Sequence, residues 1–359
     1  MIPILYESNE REFITNGIGR LAEATSCEVT EERNGEYTLE LTYPINGALY
    51  DDIKVHRIIY AAASDTSAQP FDIYNVVSDM EGTVTVYANH VSYRLNGMPF
   101  LRSDSAFNGA AALMAAIPNN VPMNGNTGGT NRIDVGFDFI STSTSTAAIR
   151  VNENKSVMAV LHGSSGSLLD VCGGEFEFYK FSVIHRPERG KDNGVVVRYG
   201  KNLTDLTIEY DANGKYNGFA PYFKESDTVY RRANTVYYNT DVIPYPFIKL
   251  YDAKDNYSTT PSTATLNALG STMLSKRDDK IDLNITFEML PLWASGEYAK
   301  YKALEAVGLC DTVRVINERM GIDVKTKVVS MTYDSLLERP KTIEIGTIKK
   351  TLADTIAAL

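Results

Sequence analysis

Histidine is scarce, at 4 in 359 residues, as are cysteine, at 3, and tryptophan, at 1. Each scarcity closes off some chemistry. His56, His90, His162 and His185 fall in four separate segments, so none pairs at zinc-ligand spacing, and no His-Glu-x-x-His helix is present. Cys27, Cys172 and Cys310 lie far apart, odd in number and without a Cys-x-x-Cys pair, which reads as buried, reduced thiols and a reducing compartment. There is no Lys/Arg run and no basic arm. With Lys plus Arg at 35 and Asp plus Glu at 45, the formal net charge is −10, the wrong sign for holding nucleic acid by phosphate neutralisation. Apolar runs are short. The N-terminal MIPILYESNEREF meets charge too early for a secretory signal, and no segment has the length of a membrane-spanning helix.

Turn residues, by contrast, are plentiful. Nine Asn-Gly pairs begin at Asn16, Asn34, Asn46, Asn96, Asn108, Asn124, Asn193, Asn213 and Asn217. Asn-Gly suits the positive φ of tight hairpins, and several of these pairs sit between strand-like segments. Around Asn34-Gly35, CEVTEER and EYTLELTY alternate apolar and polar residues, as in a sheet with one solvated face. IIYAAAS, FDIYNVVSDM and TVTVYANHVSY follow, so residues 1–97 read as a compact β-barrel or curled sheet.

From residue 98 to 174 the character is mixed. The Ala-rich Ala106–Pro118 is helix-competent and should end at the proline, a Gly/Asn loop spans Asn119–Asn131, and Ser156–Gly173 is helix-like. A second β region starts at GEFEFYKFSVIHR and occupies 175–240. Residues 241–290 form a small α/β module with a helix over Thr265–Lys276, and 291–346 return to strands in DTVRVI, DVKTKVVSMTYD and KTIEIG. In 347–359 the stripe Ile348, Leu352, Ile356 and Leu359 marks an amphipathic helix. The fold class is thus mainly β with α+β insertions, in several domains.

Three short motifs test for chemistry. Gly200-Lys201 follows the β-branched run Val195–Val197, as in a phosphate-binding loop, but Val195 stands where the upstream glycine belongs and Asn202 where the hydroxyl belongs. Val195–Gly214 reads instead as a hairpin turning at Gly200–Asn202. Gly163-Ser164-Ser165-Gly166 lacks the Gly-x-Ser-x-Gly spacing of a nucleophile elbow and reads as a turn. His162 and Cys172 sit on one helix-like segment and its exit with no orienting partner in sequence. The residues point to no catalytic, metal or cofactor site. Tyrosine is abundant, at 22, which suits half-buried strands and equally suits carbohydrate or protein contact.

Four stretches together resemble a known family. They are NGIGRLAEATSCEVTEERNGEYTLELTYPINGALYDDI (Asn16–Ile53), VYANHVSYRLNG (Val86–Gly97), GSLLDVCGGEFEFYKFSVIHRPERGKDNGVVVRYGKNLTDL (Gly166–Leu206) and EYAKYKALEAVGLCDTVRVINERMGIDVKTKVVSMTYDSLLERPKTIEIG (Glu297–Gly346). In this order they resemble the N-terminal hub region of phage tail proteins, the prophage endopeptidase tail or tail-associated lysin family. The family has Leu-Gly-Asp-Thr-Val where this chain has Leu309-Cys310-Asp311-Thr312-Val313, and a glycine there would suit a turn before a strand.

The resemblance implies two β-barrel-like tube domains, 1–97 and 175–240 completed by 291–346, with the smaller modules between and after them. It further implies a homotrimeric baseplate hub with pseudo-sixfold symmetry at the virion tail tip, assembled in the bacterial host cytoplasm. Such a hub closes the tail tube and meets a distal tail protein and tip or fibre proteins. Tape-measure protein and DNA pass through it without specific binding, and this chain inserts into no membrane. Lytic activity in such proteins resides in a separate module, so this chain is expected not to be an enzyme. The alternatives are a tail-associated peptidoglycan hydrolase, or a module binding cell-wall saccharide.

Overall fold

A computed structural model describes residues 1–80, 82–103, 106–121, 136–164, 166–226, 229–257, 259–280, 282–290 and 306–346. The expected C-terminal helix at 347–359 and most of the Asn119–Asn131 loop lie outside them. The chain divides into two compact units, the first made of Met1–Thr207 with Ile285–Leu359 and the second of Ile208–Asn284.

The first unit opens with β1 (Ile4–Tyr6), β2 (Gly19–Arg20), β3 (Ser26–Glu32), β4 (Tyr37–Pro44), β5 (Ile58–Ser64), β6 (Ser67–Ser78) and β7 (Thr83–His90). The alternation seen in the sequence is what builds them: on β7, Val84, Val86, Ala88 and His90 are buried while Thr83, Thr85, Tyr87 and Asn89 are half-exposed. The β3–β4 hairpin turns where expected, with Asn34 in the left-handed region at φ 59°. Leu39, Leu41, Val84, Val86, Phe71 and Ile73 fill one face.

The strands order as β3-β4-β7-β6-β5-β1-β2, and the 13-residue strand Ile322–Asp334 adds to the outer side of β3. Its C-terminal half pairs with both β3 and Arg339–Gly346, its N-terminal half with Thr312–Asn317. One 13-stranded, largely antiparallel sheet therefore runs through both β regions.

The sheet curls toward closure. Tyr333 Oη donates to Asp65 Oδ1 at 3.0 Å, Ser335 Oγ donates to the Ala62 carbonyl, and the Met1 amine donates to the Ser335 carbonyl at 2.8 Å. These bonds join β5 and the far end of Ile322–Asp334 by side chains and a terminus, with no strand ladder between them. Among the described residues, no sheet closes into a barrel.

The Val195–Gly214 hairpin does not form. Val195–Arg198 pairs in parallel with Thr312–Asn317, Val195 opposite Val313, while Leu203–Asp211 pairs with Asp282–Met289. The strands were correctly read but their partners lie elsewhere in the chain. The Gly200–Asn202 turn is closed locally: Lys201 N donates to Arg198 O at 3.1 Å and Arg198 N to Asn202 Oδ1 at 2.9 Å.

A second core in this unit gathers α1 (Ala110–Asn120), α2 (Val157–Leu161) and α3 (Leu168–Cys172) with the hairpin Glu175–Tyr179 and Ser182–Arg186. That hairpin belongs to a small three-stranded sheet with Asp138–Ser141. α1 runs past Pro118 to Asn120, whose Nδ2 donates to Ala116 O at 2.8 Å; in the last turn a proline costs only one helical bond. The helix-like Ser156–Gly173 is two helices, split where Gly163 and Gly166 take positive φ and restarted by Ser167, whose Oγ caps Asp170 N.

The second unit centres on the strand Gly218–Lys224. Tyr230–Arg232 and Tyr237–Tyr238 pair antiparallel along one side and Ile248–Asp252 in parallel along the other. α4 (Thr263–Met273), capped by Ser262 and continued by a 3-10 turn over Leu274–Lys276, realises the expected helix and packs Leu266 beside Phe223.

Candidate functional site

Two of the four histidines are held within the fold by packing and hydrogen bonds. His90 is fully buried, stacked on Tyr37 at 4.5 Å, and accepts from Ser92 N at 3.2 Å; burial drives its pKa down to about 3. His185 clips two segments together, Nδ1 to Ser141 Oγ at 3.0 Å and Nε2 to Gly173 O at 2.8 Å, and burial lowers its pKa against the pull of that carbonyl. His56 sits in a left-handed turn, and His162 caps the C-terminus of α2 against Phe176. The thiols of Cys27 and Cys310 are buried and pushed up to about 12, far from a reactive thiolate, while Cys172 is half-buried at the end of α3. Among the described residues, no three His, Cys, Asp or Glu are grouped to hold a metal.

Cys310 resolves the departure noted in the sequence. Its φ is 69°, a glycine conformation, and its N–H donates to Val328 O at 3.0 Å. Gly190 lies against this turn: a Cβ there would fall 2.1 Å from the Cys310 carbonyl oxygen.

Beside this turn a cavity of about 770 Å³ opens, lined by Glu31, Ser64, Glu177, Arg189, Lys191 and Tyr333 among others. The size is that of a small-ligand site. Two of these residues, Glu31 and Arg189, belong to a charged network that runs beside the cavity. Arg189 Nη1 lies 3.1 Å from Glu31 and donates to Phe176 O at 2.5 Å; Lys327 Nζ lies 3.2 Å from Glu175 and 2.8 Å from Glu188; Arg33 lies 3.5 Å from Glu175. Burial raises the Glu31 pKa and Arg189 opposes it; burial alone would lower that of Arg189, but Glu31 and its neighbours hold it above the ordinary value. The network fastens residues 175–191 to β3 and Ile322–Asp334.

The solvated face of the curled sheet has a different character. Thr332, Thr30 and Thr38 stand in one row across three strands, with Thr30 Oγ1 and Thr332 Oγ1 3.1 Å apart. In the next row Asp334, Glu28 and Glu40 lie directly opposite one another. Lys341 Nζ reaches Glu28 at 2.5 Å. Like charges facing across strands weaken a sheet, so this row is a local cost to stability.

The fold is that of solved prophage tail proteins. The chain is similar in structure to tail protein gp18 of a Listeria monocytogenes prophage, at 14% identity and a TM-score of 0.54, covering 100% of this chain and 98% of that one. It is also similar to the 43 kDa tail protein of prophage MuSo2 from Shewanella oneidensis (12%, TM-score 0.54, 97% and 98% covered) and to a tail protein from Neisseria meningitidis (9%, 0.52, 96% and 96%). The family resemblance stands: residues 191–356 match the model of the prophage endopeptidase tail family. No curated protein matches the sequence.

Nothing in the sequence distinguished the acidic row from other solvated strand positions. Its signal is the register, which sets Asp334 and Glu28, 306 positions apart, side by side.

Proposed function

We propose that the chain is a structural component of a phage tail tip: a homotrimeric hub that closes the tail tube, joins it to tip or fibre proteins, and lets DNA and tape-measure protein pass. The observation that carries the reading is the family match over 191–356 on a chain whose whole length follows the fold of prophage tail proteins. The structural use of His90 and His185 fits a scaffold. The row Asp334, Glu28, Glu40 fits a surface facing the passage, where like charge repels a polyanion and lets it slide.

Light scattering of the purified chain over a concentration series tests this. The expected mass is three times 39.7 kDa. A chain that clears cell wall in a zymogram would overturn the scaffold reading.

A further inference from the structure

The sheet of the second unit is covered on one side only. Phe219, Pro221 and Phe223 point toward α4, where a Cβ on Gly270 would touch Pro221 at 3.3 Å. Alternation puts Ala220, Tyr222 and Lys224 on the opposite face, and register adds Ile248, Leu250 and Asp252 from one edge and Tyr230, Arg232 and Tyr238 from the other. This face is open. Leu250 is 73% exposed, Tyr230 54% and Tyr238 47%, and Tyr245 and Phe247 stand exposed on the adjoining loop. At roughly 100 Å² for each such ring, the patch matches or exceeds the largest apolar patch of an ordinary monomer.

Both edges of the sheet are free as well. Among the described residues, no strand adds to the outer side of Ile248–Asp252, nor to that of Tyr230–Arg232. Open edges present unpaired backbone N–H and C=O groups with which another chain can pair.

The charges on this face say which chain. Arg232 and Asp252 both oppose Tyr222, one on each side, so the row reads Arg232, Tyr222, Asp252 across the sheet. Two strand spacings, about 10 Å, separate the ends. They do not pair with each other: Asp252 Oδ1 accepts from Lys254 N at 3.1 Å, and the Arg232 side chain is exposed without an ion-pair or hydrogen-bond partner among the described residues. A sheet with a cation at one edge and an anion at the other is complementary to a copy of itself placed head to tail.

We propose that the edge Ile248–Asp252 of one copy docks on the edge Tyr230–Arg232 of the next. Asp252 meets Arg232 across the contact, and the edge side chains Leu250 and Tyr230 come to lie beside the adjoining copy. The contact is heterologous, since the two edges differ, and repeats around a closed ring. It rests on the homotrimer reading above and assigns that trimer its surface.

The test is native mass by light scattering, over a concentration series, for the full chain and for Arg232→Asp, Asp252→Arg, the double exchange and Leu250→Arg, with far-UV circular dichroism confirming the fold. Leu250→Arg breaks no bond within the chain, so its loss of assembly cannot be blamed on misfolding. The expected result is a wild-type trimer whose assembly weakens at least tenfold in each single variant and returns in the double exchange. Wild type and variants equally trimeric would overturn this contact and leave the hub reading intact. A wild-type dimer would overturn the ring, pointing to two faces packed about a two-fold axis. A wild-type monomer at every concentration would overturn the contact and the hub reading together.

Discussion

The two units divide the chain's chemistry unevenly. Residues 208–284 hold 9 Lys or Arg and 10 Asp or Glu, which leaves 35 − 9 = 26 and 45 − 10 = 35 for the rest, so nine of the ten excess negative charges belong to the first unit. The second unit holds 9 of the 22 tyrosines in 77 residues. It also supplies ten of the twenty-five exposed large apolar side chains among the described residues. A unit of this size cannot bury its surface as fully as a larger one, and here the shortfall sits on one face of one sheet. For its length, the second unit leaves more tyrosine and leucine in water than the first.

That division can be broken one unit at a time. The largest expected effect is Gly190→Ala. The new methyl would meet backbone at 2.1 Å with φ at +76°, so the backbone of the Cys310 turn would have to shift. A loss of about 5 kcal/mol or more is expected, in the extreme tail of single substitutions. Hydrogen exchange should show it in the first unit while amides of 218–252 keep their protection; equal loosening in both units would show that they unfold together.

Acid comes next. His90 has a folded pKa of about 3, below the ordinary 6.5, so the unfolded state takes up the proton first. Stability is therefore full above pH 6.5 and falls as pH drops toward 3, by about 4 kcal/mol between pH 7 and 3.5. Urea titrations at stepped pH would measure the slope. His90→Phe should flatten it, and an unchanged slope would shift the acid sensitivity to other groups.

Asn217→Ala sharpens the comparison from the other side. Asn217 is fully buried, its Nδ2 donating to Tyr245 O at 2.8 Å and Ile243 O at 3.1 Å, its Oδ1 accepting from Phe247 N at 2.8 Å. Truncation should cost about 2–3 kcal/mol and loosen residues 239–247 only. Exchange at those amides is the readout, with the first unit as the internal control.

The smallest effect is expected for Cys310→Gly, where relief of a left-handed conformation offsets the lost packing of a buried thiol. Stability should move by no more than about 1 kcal/mol, whereas Cys310→Val, β-branched at positive φ, should cost more than twice that. Chemical denaturation of the pair would separate the two.

What could be read in the sequence was local. The β3–β4 hairpin was written in its alternation and its Asn34-Gly35 turn, and α4 in its apolar spacing. Val195–Arg198 was legible as a strand, but its partner Val313–Ile316 is more than a hundred positions away, and the Gly200–Asn202 turn mimicked a hairpin signal. Propensity does not carry such pairing; the register of the completed sheet does. The tyrosine excess was visible as well, yet period-two alternation reads the same for a covered face as for a bare one. Only the placement of α4 on the Phe219 side decides that Tyr222, Tyr230 and Tyr238 face outward. The seam network around Arg189 was equally hidden, because Glu31, Glu175 and Lys327 meet only when three distant segments are stacked.

The strand Ile322–Asp334 has a consequence in time. Its C-terminal half is the outer neighbour of β3, yet the ribosome makes it almost three hundred residues after β3. At roughly 5–20 residues per second, β3 waits some 15–60 s with one edge unpaired. Throughout that interval the nascent chain is a partly finished sheet that another nascent chain could extend. Ribosome-stalled chains ending before residue 322 should therefore bind holdase chaperones more strongly than chains released at full length.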